Sequence, residues 1–132
     1  MNDGTSGLRD PRREVGAGDT VLVTGAAGVI GRVVVPVLAG AGMRVVAADR
    51  VESGAGDRVL VGDMCDALFV AECLDGVDAV VHLAAIPAPG QAPEDVTLVH
   101  NVQSAYLVLD GAGRAGLRTA VAASSASAYG YA

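Results

Sequence analysis

The sequence has 132 residues, a formal net charge of −6, and 52% hydrophobic but only 3% aromatic residues. This length suits one compact domain that buries about two thirds of the surface of its unfolded chain, and a core poor in aromatics must be filled by Val, Ala and Leu, as in parallel sheets covered by helices. The nine Lys and Arg residues form no long basic stripe, which argues against a nucleic-acid partner, and apolar runs broken by Gly, Pro or charge argue against a membrane span.

Residues 1–19 are polar, Gly-rich and charged. With little to bury, they are expected to form a flexible tail. They also lack the apolar stretch of a secretory signal, so a cytoplasmic location is expected. Cys65 and Cys73 are too far apart for a CxxC pair and have no His at ligand spacing beside them. Free thiols and no metal site are therefore expected.

Organised structure is expected from Thr20, with strand-like and helix-like stretches in alternation. Val21 to Thr24 reads as a strand, Val29 to Ala39 as a helix that Pro36 would kink, and Arg44 to Ala48 as a second strand. Arg58 to Val61 is a short third strand. A helix then runs to Leu74 behind the N-cap residue Asp66, with Gly76 as its stop. Val77 to Leu83 is the most strand-like run. After the Pro-rich loop from Ile86 to Pro93, Val99, Val102, Tyr106 and Leu109 recur at intervals of three or four and line one face of a long helix. Thr119 to Ala123 reads as the fifth strand. This alternation predicts an α/β fold, a doubly wound Rossmann-like parallel sheet of order 3-2-1-4-5 over residues 20–132, truncated after its fifth strand.

Thr24-Gly25-Ala26-Ala27-Gly28-Val29-Ile30-Gly31 follows a strand directly and opens a helix. In that setting Gly25 permits a tight turn, Gly28 lets the backbone approach a pyrophosphate, and Gly31 lets helix and strand pack closely. The helix N-terminus offers unpaired N–H groups and a partial positive charge to the phosphates. No Gly-Lys-Ser/Thr follows, so this is not a P-loop. Asp49 stands eighteen residues beyond Gly31, near the spacing at which an acid meets the adenosine ribose. Its charge would repel a 2′-phosphate, which favours NAD, while neighbouring Arg50 could pair with that phosphate and leaves NADP open.

The GxxGxxG spacing, together with Asp49-Arg50, Gly62-Asp63-Met64, Val81-His82-Leu83-Ala84-Ala85 and Ser124-Ser125-Ala126-Ser127-Ala128-Tyr129-Gly130, resembles the extended short-chain dehydrogenase/reductases, also called the NAD-dependent epimerase/dehydratase family. The resemblance runs in register from about Thr20 to the end of the sequence. It implies that Gly25, Ala27, Gly28, Val29, Ile30 and Gly31 hold the dinucleotide and that Asp63 and the backbone of Met64 meet the adenine. Leu83, Ala84 and Ala85 would lie beside the ribose and nicotinamide. Asp63 could equally be a helix-start acid placed by the dipole, and the Ala pair ordinary tight packing.

Ser125 matches the family's active-site Ser or Thr, with Ser124 as the fallback; a serine cluster at a strand end could also be a turn. His82, inside an apolar strand, reads as a hydrogen-bonded core residue. Asn101 resembles a structural Asn of the family, and Ser104-Ala105 departs from the usual Gly-Thr pair beside it. The family's catalytic Tyr-x-x-x-Lys pair is absent from these residues, and Tyr129 belongs to the serine-rich motif. The expected function is thus the NAD(P)-binding portion of an oxidoreductase, epimerase or dehydratase acting on a small hydroxyl or carbonyl substrate such as a nucleotide sugar, inactive alone. A homodimer is open for a full-length relative, through the long helix. A non-catalytic nucleotide-binding regulator, or a fragment without function, are the competing expectations.

Overall fold

The computed structural model describes residues 13–130. Within them, β1 (Thr20–Thr24), β2 (Arg44–Asp49), β3 (Arg58–Val61), β4 (Ala79–His82) and β5 (Thr119–Ala122) pair side by side in one parallel sheet. The order is β3-β2-β1-β4-β5, as the alternation of elements predicts. β1 sits at the centre, Thr24 opposite Ala48 on one side and His82 on the other. The strands β2 and β4 therefore end level with β1, and the loops that follow them converge above it.

Alternation along the strands divides the core between two layers. Leu22, Val46, Ala48 and Val80 point to the face covered by α2 (Ala67–Leu74) and α3 (Glu94–Arg114), where they meet Val70, Cys73, Leu74, Val108 and Ala112. Val23, Val45 and Ala47 point to the opposite face and pack on Val35 of α1 (Gly31–Gly40). α1 is helical despite the β-branched run Val33-Val34-Val35, because packing against the sheet outweighs a propensity cost of a few tenths of a kcal/mol per residue. It continues through Pro36 as one helix. Pro36 and Arg32, whose carbonyl loses its partner to the proline, are both exposed, so water can replace the missing bond.

Asp66 caps α2 as expected, its carboxylate accepting the amides of Leu68 and Phe69 at 2.9 and 3.5 Å. The apolar series Val99, Val102, Tyr106 and Leu109 on α3 faces outward and is exposed. The side of α3 buried against the domain presents Ser104, Val108 and Ala112 instead, small side chains that let the helix lie close. Every residue of the edge strand β5 is exposed.

The segment expected as a tail is tied to the domain where it is described. Asp19 is 5% exposed and accepts hydrogen bonds from the Gly16 amide at 2.9 Å and the Arg118 guanidinium at 2.7 Å, with Arg13 as a third donor. Arg118 also lies 3.5 Å from Asp78, and Asp78 accepts the Thr20 amide at 2.8 Å. The described residues before β1 are thus held against the domain, because two arginines supply the partners that a buried carboxylate needs. Residues 1–12, the rest of that expected tail, lie outside the described residues.

Candidate functional site

The loop from Thr24 to Gly31 is shaped by close backbone contact. Gly25 has φ +69°, and a Cβ there would come within 2.7 Å of Ala84 N and Leu83 C. Only glycine permits β1 to end this near the loop that leaves β4. A Cβ on Gly31 would collide with the Gly25 carbonyl oxygen and reach 2.7 Å from Ala26 Cα. These contacts fold the loop back against the start of α1.

The hydrogen bonds of the loop leave a gap in a significant place. Ala26 N donates to Ala48 O, Ala27 N to an Asp49 carboxylate oxygen at 2.9 Å, and Gly28 N to Gly25 O. The amides of Val29, Ile30 and Gly31 donate to no group among the described residues. At the same end of α1 no side chain caps the helix and its first turn carries no acid. By contrast, α2 has its Asp66 cap and α3 carries Glu94 and Asp95 in its first turn. The start of α1 is therefore an uncompensated partial positive charge with three N–H donors that no described residue engages, the arrangement that takes up an anion.

Asp49 closes β2 beside this loop. Its second carboxylate oxygen accepts the Arg50 amide at 2.6 Å. A carboxylate offers about four acceptor positions, so both amides can be served with capacity left for hydroxyl donors.

A cleft of about 420 Å³ lies over these groups. Gly25, Ala27, Gly28, Val29, Ile30, Asp49, Arg50, Met64, Leu83, Ala84 and Ala85 all line it, as do Val51, Pro87, His100 and Ala123. Gly31 lies behind the loop, in the helix packing. The Asp63 carboxylate turns to the Cys65 amide at 2.8 Å and to His100. Ser125 is exposed and its hydroxyl accepts the Ser127 amide at 3.2 Å, capping a 3₁₀ turn over Ala126–Tyr129; Ser124 beside it is exposed as well. Pro87 and His100 carried no sequence signal for the cleft, since each reaches it only through the packing of α3 on the loop after β4. Asn101 makes that packing: its side chain accepts the Ile86 amide at 2.8 Å and donates to the Ile86 carbonyl at 3.1 Å.

His82 is buried at the end of β4 and bonded to Thr24, in the core role its apolar strand predicts. A larger open groove, about 710 Å³, lies between α2 and α3. It shares no lining residue with the cleft over the glycine loop.

Compared with protein families, residues 21–132 match the family described as "NAD dependent epimerase/dehydratase family". The chain belongs to this family. Among curated members, UDP-glucose 4-epimerase 4 of Oryza sativa subsp. japonica is 35% identical over 135 residues, covering 87% of this chain and 37% of that protein. Among solved structures, a short-chain dehydrogenase/reductase superfamily protein from Agrobacterium tumefaciens with bound NAD is 38% identical, with a TM-score of 0.78 over 84% of this chain and 34% of that one. MoeE5, solved with UDP-glucose and NAD, is also 38% identical, with a TM-score of 0.77 over 86% of this chain and 38% of its own. The chain thus spans little more than a third of the length of these family members. No helix among the described residues is long and apolar enough to cross a membrane.

Proposed function

We propose that this chain is the NAD-binding portion of an oxidoreductase of the epimerase/dehydratase type, whose whole protein moves a hydride to or from a hydroxyl-bearing carbon of a small substrate, with nucleotide sugars as the favoured class. The observation that carries the reading is the uncapped start of α1, where three unpartnered amides stand beside a carboxylate that still has accepting capacity. The relatives solved with NAD support it, and the UDP-sugar names among them support the substrate class.

In this reading Val29, Ile30 and Gly31 hold the pyrophosphate through their amides, with Gly25, Ala27 and Gly28 shaping the approach. Asp49 accepts from the ribose hydroxyls, and its charge beside Arg50 favours NAD over NADP. Asp63 and the Met64 backbone border the adenine. Leu83, Ala84 and Ala85 keep the other end of the cleft narrow and apolar, which excludes water there. Bound NAD supplies the hydride chemistry. Ser125, or Ser124 in its place, orients the substrate oxygen by a hydrogen bond. The outward apolar stripe on α3 would be covered by a second copy in a full-length relative.

The sequence contains no lysine and so no Tyr-x-x-x-Lys pair. These residues alone therefore bind coenzyme without turning over substrate. A second reading, a coenzyme-binding regulator, shares the binding step and differs only in lacking turnover with the rest of the protein in place. With no tryptophan in the chain, the fluorescence of NADH reports binding without background. Saturable enhancement at one site per chain, reversed by NAD, is expected. A folded chain that gives no enhancement, and no heat with NAD in calorimetry, overturns both readings and leaves a fragment without a ligand.

A further inference from the structure

Two polar side chains beside the cleft have no task in the reading above. Cys65 lies with Asp63 on the turn between β3 and α2, and His100 projects from α3. One ligand atom from each of Asp63, Cys65 and His100 lies within 4.8 Å of the other two. Residues 35 or more positions apart in sequence are thus brought together by the packing of α3 on the sheet.

The imidazole of His100 is decisive. Both of its ring nitrogens are buried and neither has a hydrogen-bond partner, although Nε2 stands 3.4 Å from Asp63 Oδ1. Buried polar atoms are satisfied in the great majority of cases, and an unsatisfied one points to a missing partner such as an ion. The surroundings hold the three residues in place. Asp63 accepts the Cys65 amide at 2.8 Å, the Cys65 thiol donates to the His100 carbonyl at 3.5 Å, and the Gln103 side chain donates to the Cys65 carbonyl at 3.1 Å. Asp63 is half-exposed, which opens a route from solvent.

We propose that Asp63, Cys65 and His100 form a binding site for a divalent transition-metal ion of the zinc class. Carboxylate oxygen, thiolate sulfur and imidazole nitrogen together make a donor set that zinc accepts, whereas calcium and magnesium require oxygen ligands. Bonds of about 2.0–2.3 Å place tetrahedral donors about 3.5 Å apart; Asp63 Oδ1 and His100 Nε2 already stand 3.4 Å apart, and rotation of the Cys65 side chain brings its sulfur in. Uptake releases the Cys65 thiol proton to solvent and leaves a thiolate on the ion. Three protein donors leave a fourth position for water or an external ligand. The site borders the cleft through His100, but it does not depend on the coenzyme reading.

The test uses the complete 132-residue chain, untagged, reduced, stripped by chelator and free of coenzyme. Titration with Co²⁺ is expected to give, at one equivalent, a thiolate-to-cobalt charge-transfer band together with visible bands of tetrahedral intensity, both bleached by Zn²⁺. Cys65→Ser abolishes the charge-transfer band, and His100→Gln weakens Co²⁺ binding by about tenfold or more. Cys73→Ser, whose thiol is buried in the core, retains the full spectrum. Circular dichroism establishes folding of each variant, and Asp63→Asn replaces Cys65→Ser if the latter does not fold, with the same loss of affinity expected as for His100→Gln. The absence of the charge-transfer band in the folded parent chain, or its survival in folded Cys65→Ser, overturns the proposal.

Discussion

The Thr24 hydroxyl stands 2.7 Å from Nδ1 of His82 while accepting the amides of Leu83 and Ala84, each at 3.2 Å. An oxygen that takes two N–H bonds has its own proton left to donate, and the network assigns that proton to Nδ1 and the ring proton to Nε2. One side chain thereby fixes the tops of β1 and β4 against each other beneath the cleft. Thr24→Val keeps the shape but strips the buried His82 Nδ1 and the half-buried Ala84 amide of their partner, while the Leu83 amide keeps the Thr24 carbonyl at 3.1 Å. Its unfolding free energy should fall by about 1–3 kcal/mol, read from urea denaturation, and an unchanged midpoint would show that the clamp contributes nothing.

Two buried groups give the fold a sign-defined response to acid. Burial pulls the His82 ring below its ordinary 6.5, so its contribution is complete above that value, where both states are neutral. It declines as pH falls through 6.5 and the unfolded chain takes up the proton first. The Gly16 amide, with Arg118 and Arg13, overcomes burial and holds the Asp19 carboxyl at about 2, below its ordinary 3.8. That contribution is complete above 3.8 and is lost as pH falls towards 2. Denaturation at a series of pH values should show both declines, with Asp19→Asn removing only the lower one.

The two inner glycines of the loop should fail differently. In Gly31→Ala the new methyl meets backbone atoms of Gly25 and Ala26, which cannot rotate away, so a stability loss of about 1–3 kcal/mol is expected. In Gly28→Ala it meets only the Gly25 carbonyl oxygen, at 3.2 Å. The fold should survive nearly intact while NADH fluorescence enhancement drops. A reversed ranking, with Gly28→Ala the less stable protein, would contradict this division of labour.

Asp49→Asn tests the acid at the end of β2. Hydrogen bonds to a charged acceptor contribute about 1.5–3 kcal/mol, so NADH affinity should fall about 10- to 100-fold, and the preference over NADPH should narrow as repulsion of the 2′-phosphate disappears. Equal affinities for the two coenzymes in the parent chain would remove Asp49 from that role.

Much of this molecule is readable residue by residue because its determinants are local. The glycine loop, the Asp66 cap and the alternation of short apolar strands each declare themselves within about ten positions, and together they specify the sheet order. The orientation of α3 was not readable. Its regular Val99-Val102-Tyr106-Leu109 series has the periodicity of a core face, yet small residues at Ser104 and Ala112 let the opposite side approach the sheet. The grouping of Asp63, Cys65 and His100 was equally hidden. The sequence shows the two cysteines without a neighbouring histidine, and only the placement of α3 supplies one.

Arg118 and Asp19 are separated by 99 positions, and the contact between them latches the base of three neighbouring strands. During synthesis, β1 and β4 can both emerge from the ribosome before the residue that locks their lower ends to β5 has been added. Contacts of such long range make folding slow, and the base stays unlatched at least until Arg118 has been added. It is in this interval, and less in the finished protein, that chaperones and proteases would find their opening.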